Sequence, residues 1–297
     1  VSSVLYRIRH ATCYRYAADV VHSHQLLRLV PRPVPFQECR EHSIEVTPGA
    51  FRRRDGRDAF GNVVTRIESE HAHRELAVTA TMDVLVHARA PVASADTWPV
   101  ERVVGELDYG GRELGRDALE ACRFRHESPY VRVKRIYDEY AAGCFAPGRP
   151  VLEAAQELAA RIHREFAYAP GATTVATPLG EVLAGRRGVC QDFAHVMIAC
   201  LRARGLPARY VSGYVRLPAS GRDGGGERAG QSHAWVGVWC PPFGWVELDP
   251  TNDCRVGTDH VTVAWGRDFG DVSPLRGVIL GGGRHEVAVT VHVRPAA

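Results

Sequence analysis

From Val4 to about His87 apolar positions recur at every second residue, and the longest run sets Leu76, Val78, Ala80, Met82, Val84 and Val86 on one side of the chain. A period of two marks a half-buried strand, because successive side chains point to opposite faces of a sheet. Shorter runs of the same kind lie around 6–16, 42–46 and 63–67. Pro31, Pro33, Pro35, the Pro48-Gly49 pair and the Phe60-Gly61-Asn62 turn separate them. The pattern predicts an antiparallel β domain over residues 1–92.

The period then lengthens. Val131, Arg135, Tyr137 and Tyr140, followed by Leu152, Ala155, Leu158, Ala159, Ile162 and Phe166, fall near helical spacing. This predicts a helical connector over 93–150 and a helix opening a second domain over 151–277. After Gly188, the residues Phe193, Val196, Met197, Cys200 and Leu201 share one face of a further helix, which Gly205 and Pro207 end. Strand-like runs follow at 208–215, 232–239 and 245–249. Between the first two, Ser220–Gly230 is polar and glycine-rich, expected as a disordered loop or a mobile flap beside a site. Within the C-terminal 278–297, residues 286–293 alternate again and offer a strand to the first domain.

Composition narrows the function classes. A 45% hydrophobic content over 297 residues is ample for packed cores. No apolar run approaches the length of a membrane span, and the N-terminus alternates apolar with charged residues where a signal peptide would be continuous. The expectation is a soluble, cytoplasmic protein with no membrane partner. A formal charge of +3 with dispersed arginines gives no case for nucleic acid, and the arginine-rich 51–57 reads as a solvated loop. Eight cysteines without a CxxC pair resemble neither a disulfide scaffold nor a zinc ribbon, so no metal or cofactor is expected.

Cys190 lies at the predicted start of the helix after Gly188. Unpaired backbone N–H groups and the positive end of the helix dipole favour a thiolate there, and the same amides suit an oxyanion. The competing reading is a buried cysteine that merely opens a core helix. A second feature favours chemistry. If 232–239 and 245–249 form a hairpin about Pro241-Pro242-Phe243-Gly244, a symmetric register pairs His233 with Asp249, their Cβ atoms about 4.5–5.5 Å apart. A carboxylate that orients an imidazole is the second half of an activated-nucleophile triad. A slip of one residue would destroy the facing.

Gly188-Val189-Cys190-Gln191-Asp192-Phe193, the stretch 206–214, His233-Ala234-Trp235 and Asp249-Pro250-Thr251-Asn252 together resemble the bacterial transglutaminase-like family, often labelled as cysteine proteases. The resemblance covers roughly 152–277, and the β-rich first portion is similar to the N-terminal domain that accompanies that core. It implies an α+β protein with a papain-like/transglutaminase-like catalytic core beside an N-terminal antiparallel β domain. It also implies Cys190 as nucleophile, His233 as general base and then acid, and Asp249 as the orienting carboxylate. Animal transglutaminases use a tryptophan upstream of the cysteine and calcium-responsive loops. Here 166–170 holds no tryptophan and no acidic calcium loop occurs. Tyr168 and Gln191 are candidates for oxyanion or substrate contact.

The implied activity is thiol-dependent hydrolysis of peptide, isopeptide or other amide bonds, on a peptide, protein or small amide substrate. Acyl transfer from glutamine to an amine is the enzymatic alternative, and a non-catalytic interaction module the alternative outside catalysis. Elsewhere the plainer readings hold: His195 as a core or surface histidine, Trp235, Trp239 and Trp245 as core, Asp268 and Asp271 as a surface turn, Cys200 and Cys254 as inert thiols.

Overall fold

The computed structural model describes residues 3–49, 51–108, 110, 113–216 and 231–296. Ser220–Gly230, expected as a loop or flap, lies outside the described residues. Strands β1 (Ser3–Leu27), β2 (Gln37–Thr47), β3 (Arg52–Arg57), β4 (Val63–Ser69) and β5 (His73–His87) build an antiparallel sheet in the order β2-β5-β1-β4-β3. The alternation predicted for β5 is met position by position: Leu76, Val78, Ala80, Met82, Val84 and Val86 are all buried. Residues 51–57, read above as a solvated loop, instead supply the edge strand β3, pairing Arg52 with Glu68 and Arg54 with Arg66. Charged side chains on an edge strand discourage further strand pairing, which is why so polar a run is tolerated in a sheet.

The rest of the described chain forms the second body. Helices α1 (Val100–Leu107), α2 (Arg116–Cys122), α3 (Arg135–Ala141) and α4 (Val151–Glu165) precede β6 (Ala167–Tyr168), α5 (Leu179–Gly185), β7 (Arg187–Gly188) and α6 (Cys190–Ala203). Strands β8 (Ala208–Val215), β9 (Gln231–Trp239), β10 (Trp245–Asp249), β11 (Cys254–Arg255) and β12 (His260–Gly266) form an antiparallel sheet ordered β11-β10-β9-β8-β12. The short α7 (Phe269–Val272) leads into β13 (Leu275–Gly281) and β14 (His285–Pro295). These last two strands run along β1, β14 against residues 6–16 and β13 against 20–27. β1 is therefore a central strand, with β5 and β4 on one edge and β14 and β13 on the other.

Helix α6 is the axis of the core. Its residues from Asp192 to Arg202 are all buried, so it is apolar almost all round, as a helix enclosed between a sheet and other helices must be. It packs on β8 and β9 and is covered by α3, α4 and α5. The two sheets meet at β12. One edge of β12 pairs with β8, and the other is met by two buried carboxamides from the first domain. Gln37 accepts from Thr262 N–H at 2.9 Å and donates to its carbonyl at 2.6 Å. Asn62 accepts from Trp265 N–H at 3.0 Å and donates to its carbonyl at 2.8 Å. Each amide does for one residue what a neighbouring strand would do.

A charged stack reinforces this seam. The Arg32 and Arg209 guanidiniums lie over the Trp265 ring at 3.6 and 3.7 Å from its centroid. Glu247, buried beneath, takes Arg209 at 3.1 Å, Arg89 at 3.0 Å and the Trp235 indole N–H at 2.9 Å. Burial alone would raise its pKa; the two arginines and the indole instead hold it down at about 2. No described helix is long and apolar enough to cross a membrane.

Gln37→Leu keeps the side-chain volume but leaves Thr262 N–H buried without a partner, which costs about 1–3 kcal/mol. Urea unfolding of this variant should show that loss, whereas Arg54→Ala on the exposed β3 edge should stay within about 0.5 kcal/mol of the parent.

Candidate active site

Cys190 is the first residue of α6, with Val189 in extended conformation before it. Asp192, in the first turn, reaches back to accept from Val189 N–H at 2.8 Å and from the Thr173 hydroxyl at 2.6 Å. It thereby ties the 169–177 loop to the helix start. Gly188 makes this possible, since a Cβ there would stand 2.5 Å from an Asp192 carboxylate oxygen. By helix geometry the first N–H groups, at Cys190 and Gln191, have no intrahelical partner.

The hairpin that supplies the other groups differs in register from the symmetric expectation. Trp239 pairs with Trp245 and Val236 with Leu248. Extending that register places Asp249 across from Trp235, one diagonal step from His233. The loop is the cause: it holds five residues, 240–244, closed by Cys240 N–H donating to the Gly244 carbonyl at 2.7 Å, with Gly244 at φ 82°. The offset is two residues, and an even offset leaves both side chains on the same face. Diagonal neighbours on one face remain within reach of long side chains. His233 Nε2 lies 2.7 Å from Asp249 Oδ2.

The Cys190 thiol also acts on this imidazole, so β9 carries it between α6 and β10. Burial pushes the His233 pKa down, but the hydrogen bond to Asp249 and the influence of Asp249 and Cys190 outweigh burial and raise it to about 10. Asp249 is fully buried. Burial would raise its pKa; hydrogen bonds from His233, His260 and Asn252 hold it far below the usual carboxylate range. Oδ1 accepts from the backbone N–H groups of Thr251 and Asn252 at 2.9 and 3.2 Å, an Asx turn written into the Asp249-Pro250-Thr251-Asn252 run. Oδ2 takes Asn252 Nδ2 at 2.6 Å and His260 Nε2 at 3.2 Å.

Asn252 and His260 escaped the sequence reading. The Asx-turn spacing signals Asn252. His260 comes from β12, eleven residues and three sheet positions from Asp249, and no local pattern marks it.

The other candidates separate. The parallel pairing of β6 with β7 sets Tyr168 across from Gly188, two residues before Cys190. Tyr168 is half-exposed with its ring edge against Phe193, and burial followed by the charge of Cys190 raises its pKa. Gln191 occupies the next position of the first turn, partly exposed, outside the His233–Asp249 network. His195 is a core histidine whose Nε2 accepts from Phe269 N–H at 3.1 Å, held neutral by burial near pKa 4. Asp268 is not in a surface turn: fully enclosed, it caps α7 through Gly270 N–H at 2.9 Å and accepts from Tyr130 N–H at 2.9 Å. Cys200 is buried, while Cys254 is exposed on β11 opposite Asp249, where partial desolvation and the Asp249 charge push its thiol up to about 12. Ligating atoms of His233, Asp249 and His260 lie within 4.8 Å of one another, a set that could hold a transition metal. In this structure direct hydrogen bonds join them.

A helix-borne thiol facing a sheet-borne imidazole and carboxylate, beside an antiparallel β domain, is the architecture of the papain-like, transglutaminase-like α+β enzymes. The chain belongs to the bacterial transglutaminase-like family: residues 6–85 match the bacterial transglutaminase-like N-terminal region and residues 129–250 the transglutaminase-like superfamily. It is 38% identical over 298 residues to the uncharacterized protein Rv2569c of Mycobacterium tuberculosis, covering 98% of this chain and 92% of that one. Over 113 residues, 32% of this chain and 16% of the other, it is 34% identical to a protein-glutamine gamma-glutamyltransferase of Pseudomonas aeruginosa. The fold is shared with the crystal structure of "a Putative Cysteine Protease from Cytophaga hutchinsonii", at a TM-score of 0.76 and 19% identity over 100% of this chain and 92% of that one.

The perturbed pair makes stability depend on pH. His233, raised from 6.5 to about 10, contributes stability that is complete below about 6.5 and lost as pH climbs towards 10. Asp249, lowered from 3.8, contributes stability present above 3.8 and lost as pH falls towards its folded value. The stability gap between the parent and Asp249→Asn should thus be widest between about pH 3.8 and 6.5 and narrow up to pH 10. Chemical denaturation across that range measures it, and a gap flat with pH would contradict the ion pair.

Proposed function

We propose that this transglutaminase-like enzyme is a thiol-dependent amide hydrolase with Cys190 as nucleophile, His233 as general base and acid, and Asp249 as the carboxylate that orients His233. The observation that carries the reading is a single imidazole hydrogen-bonded to a buried carboxylate and raised in proton affinity by that carboxylate and by the thiol at a helix start. His233 takes the thiol proton, and the sulfur attacks the acyl carbon. The tetrahedral oxyanion is received by the unpaired N–H groups of the first turn of α6, with the Tyr168 hydroxyl at the mouth. Collapse breaks the C–N bond as His233 protonates the departing amine, leaving a thioester on Cys190. Water, deprotonated by His233, then releases the acid and regenerates the thiol.

The substrate class is a peptide, isopeptide or other amide. Eight unpaired cysteines fit a reducing compartment, and we place the enzyme in the cytoplasm. We read residues 1–92 as the β domain, 93–150 as connector, 151–277 as catalytic core and 278–297 as a segment returning to the first domain. The alignment with the gamma-glutamyltransferase favours a second outcome, in which an amine replaces water at the thioester. Transfer needs a site that excludes water, normally with aromatic walls. Ser220–Gly230, adjoining β9 in sequence, contains no aromatic residue, which favours hydrolysis.

Two outcomes follow. Cys190→Ala should abolish turnover of an amide substrate with melting temperature unchanged, while Cys13→Ala and Cys254→Ala keep the parental rate; parental turnover by Cys190→Ala would refute the nucleophile. With labelled primary amine at millimolar concentration, free acid should remain the main product and added calcium should change nothing. A majority of amine conjugate would make the enzyme a transferase.

A further inference from the structure

We propose that His260 is a positioning residue of this site, donating to the same Asp249 oxygen as His233 so that the carboxylate is held in one orientation toward His233. The inference rests on the triad reading and adds a fourth member to it. His260 Nε2 lies 3.2 Å from the same oxygen, Asp249 Oδ2, that takes His233 Nε2 at 2.7 Å. A carboxylate oxygen only accepts, so Nε2 of His260 carries the hydrogen. Its Nδ1 is buried without a hydrogen-bond partner. A hydrogen there would be an unsatisfied buried donor, so the hydrogen bond to Asp249 is made from Nε2.

The ring is held for this task. Trp235 packs edge-on against it at 5.2 Å between centroids, and the Trp235 indole is itself pinned by Glu247. Its backbone pairs with Val215 in the β8–β12 ladder. The Gln37 clasp holds Thr262, two residues further along the same strand. With His260 in place, Asp249 has three side-chain donors on one oxygen and two backbone donors on the other. Both oxygens are engaged, so rotation about the carboxylate would break bonds on both sides at once. Remove His260, and Oδ2 loses the donor that balances the pull of His233. The ionisable groups around this centre include Cys190 from α6, Tyr168 and Tyr210 beside Cys190, Cys254 from β11 with Asp253 near it, and Asp259 next to His260. Asp259 is turned away to Arg216 at 2.8 Å and to the Tyr6 hydroxyl at 3.2 Å.

The test needs no substrate. Alkylation of Cys190 by iodoacetamide, followed by mass spectrometry from pH 4 to 9, reads the thiolate population directly. His260→Phe keeps a ring against Trp235 but deletes the donor; His260→Gln loses the ring but keeps an N–H donor. His260→Phe should move the alkylation midpoint up by about one pH unit, a roughly tenfold slower reaction at pH 6, and His260→Gln should recover most of that loss. Circular dichroism and melting confirm the fold of each. A His260→Phe profile superimposed on the parent, or a His260→Gln profile as displaced as that of His260→Phe, overturns the positioning role. If His260→Phe does not fold, His260→Gln decides alone: a parental profile supports the donor and a displaced one overturns it. The triad reading fails separately, if His233→Ala leaves the parental alkylation profile unchanged.

Discussion

A buried carboxylate stays ionised only when protein groups replace the water it has lost, and the candidate active site is organised around that requirement at Asp249. Five donors meet its two oxygens, drawn from the turn that follows it, from β9 and from β12. Each donor depends on a different part of the fold. The turn contributes through Asx geometry, β9 through the hairpin register, and β12 through its place at the far edge of the sheet. Satisfying one charge therefore constrains three elements, and His233 inherits its position and raised proton affinity from that constraint.

The β domain takes part in the same arrangement. Gln37 and Asn62 pair the outer edge of β12, and Arg89 supplies one of the charges that hold Glu247 ionised. Glu247 in turn fixes Trp235, on which His260 rests. A continuous set of buried contacts thus runs from β2 and the loop before β4 to the carboxylate. Partly satisfied buried networks are costly, so such a chain of contacts holds the seam in one geometry.

Much of this was legible in the sequence, and the residues show why some was not. The alternation of β5 and the helical face of α6 are local patterns, and both elements lie where the pattern predicts. The face shared by His233 and Asp249 was also legible, because strand periodicity preserves it under any even offset. The pairing itself was not, since it turns on whether Cys240 N–H closes a five-residue loop. The arginine run of β3 misled because its polarity reflects an exposed edge and not the lack of a strand. Asp268 misled in the opposite sense: glycines around a carboxylate look like a surface turn, yet the group is an enclosed helix cap. His260 had no local signal at all, because its role arises from the order of strands in the sheet.

The edge of β1 that receives β13 and β14 carries one more consequence. On a ribosome, β1 would wait for partners encoded some 250 to 290 positions later, with the whole thiol-bearing core synthesised in between. Loop closure over that span is slow and entropically unfavourable unless the intervening chain is already compact. The first sheet would then be the last to close, its completion serving as a seal applied over a finished core.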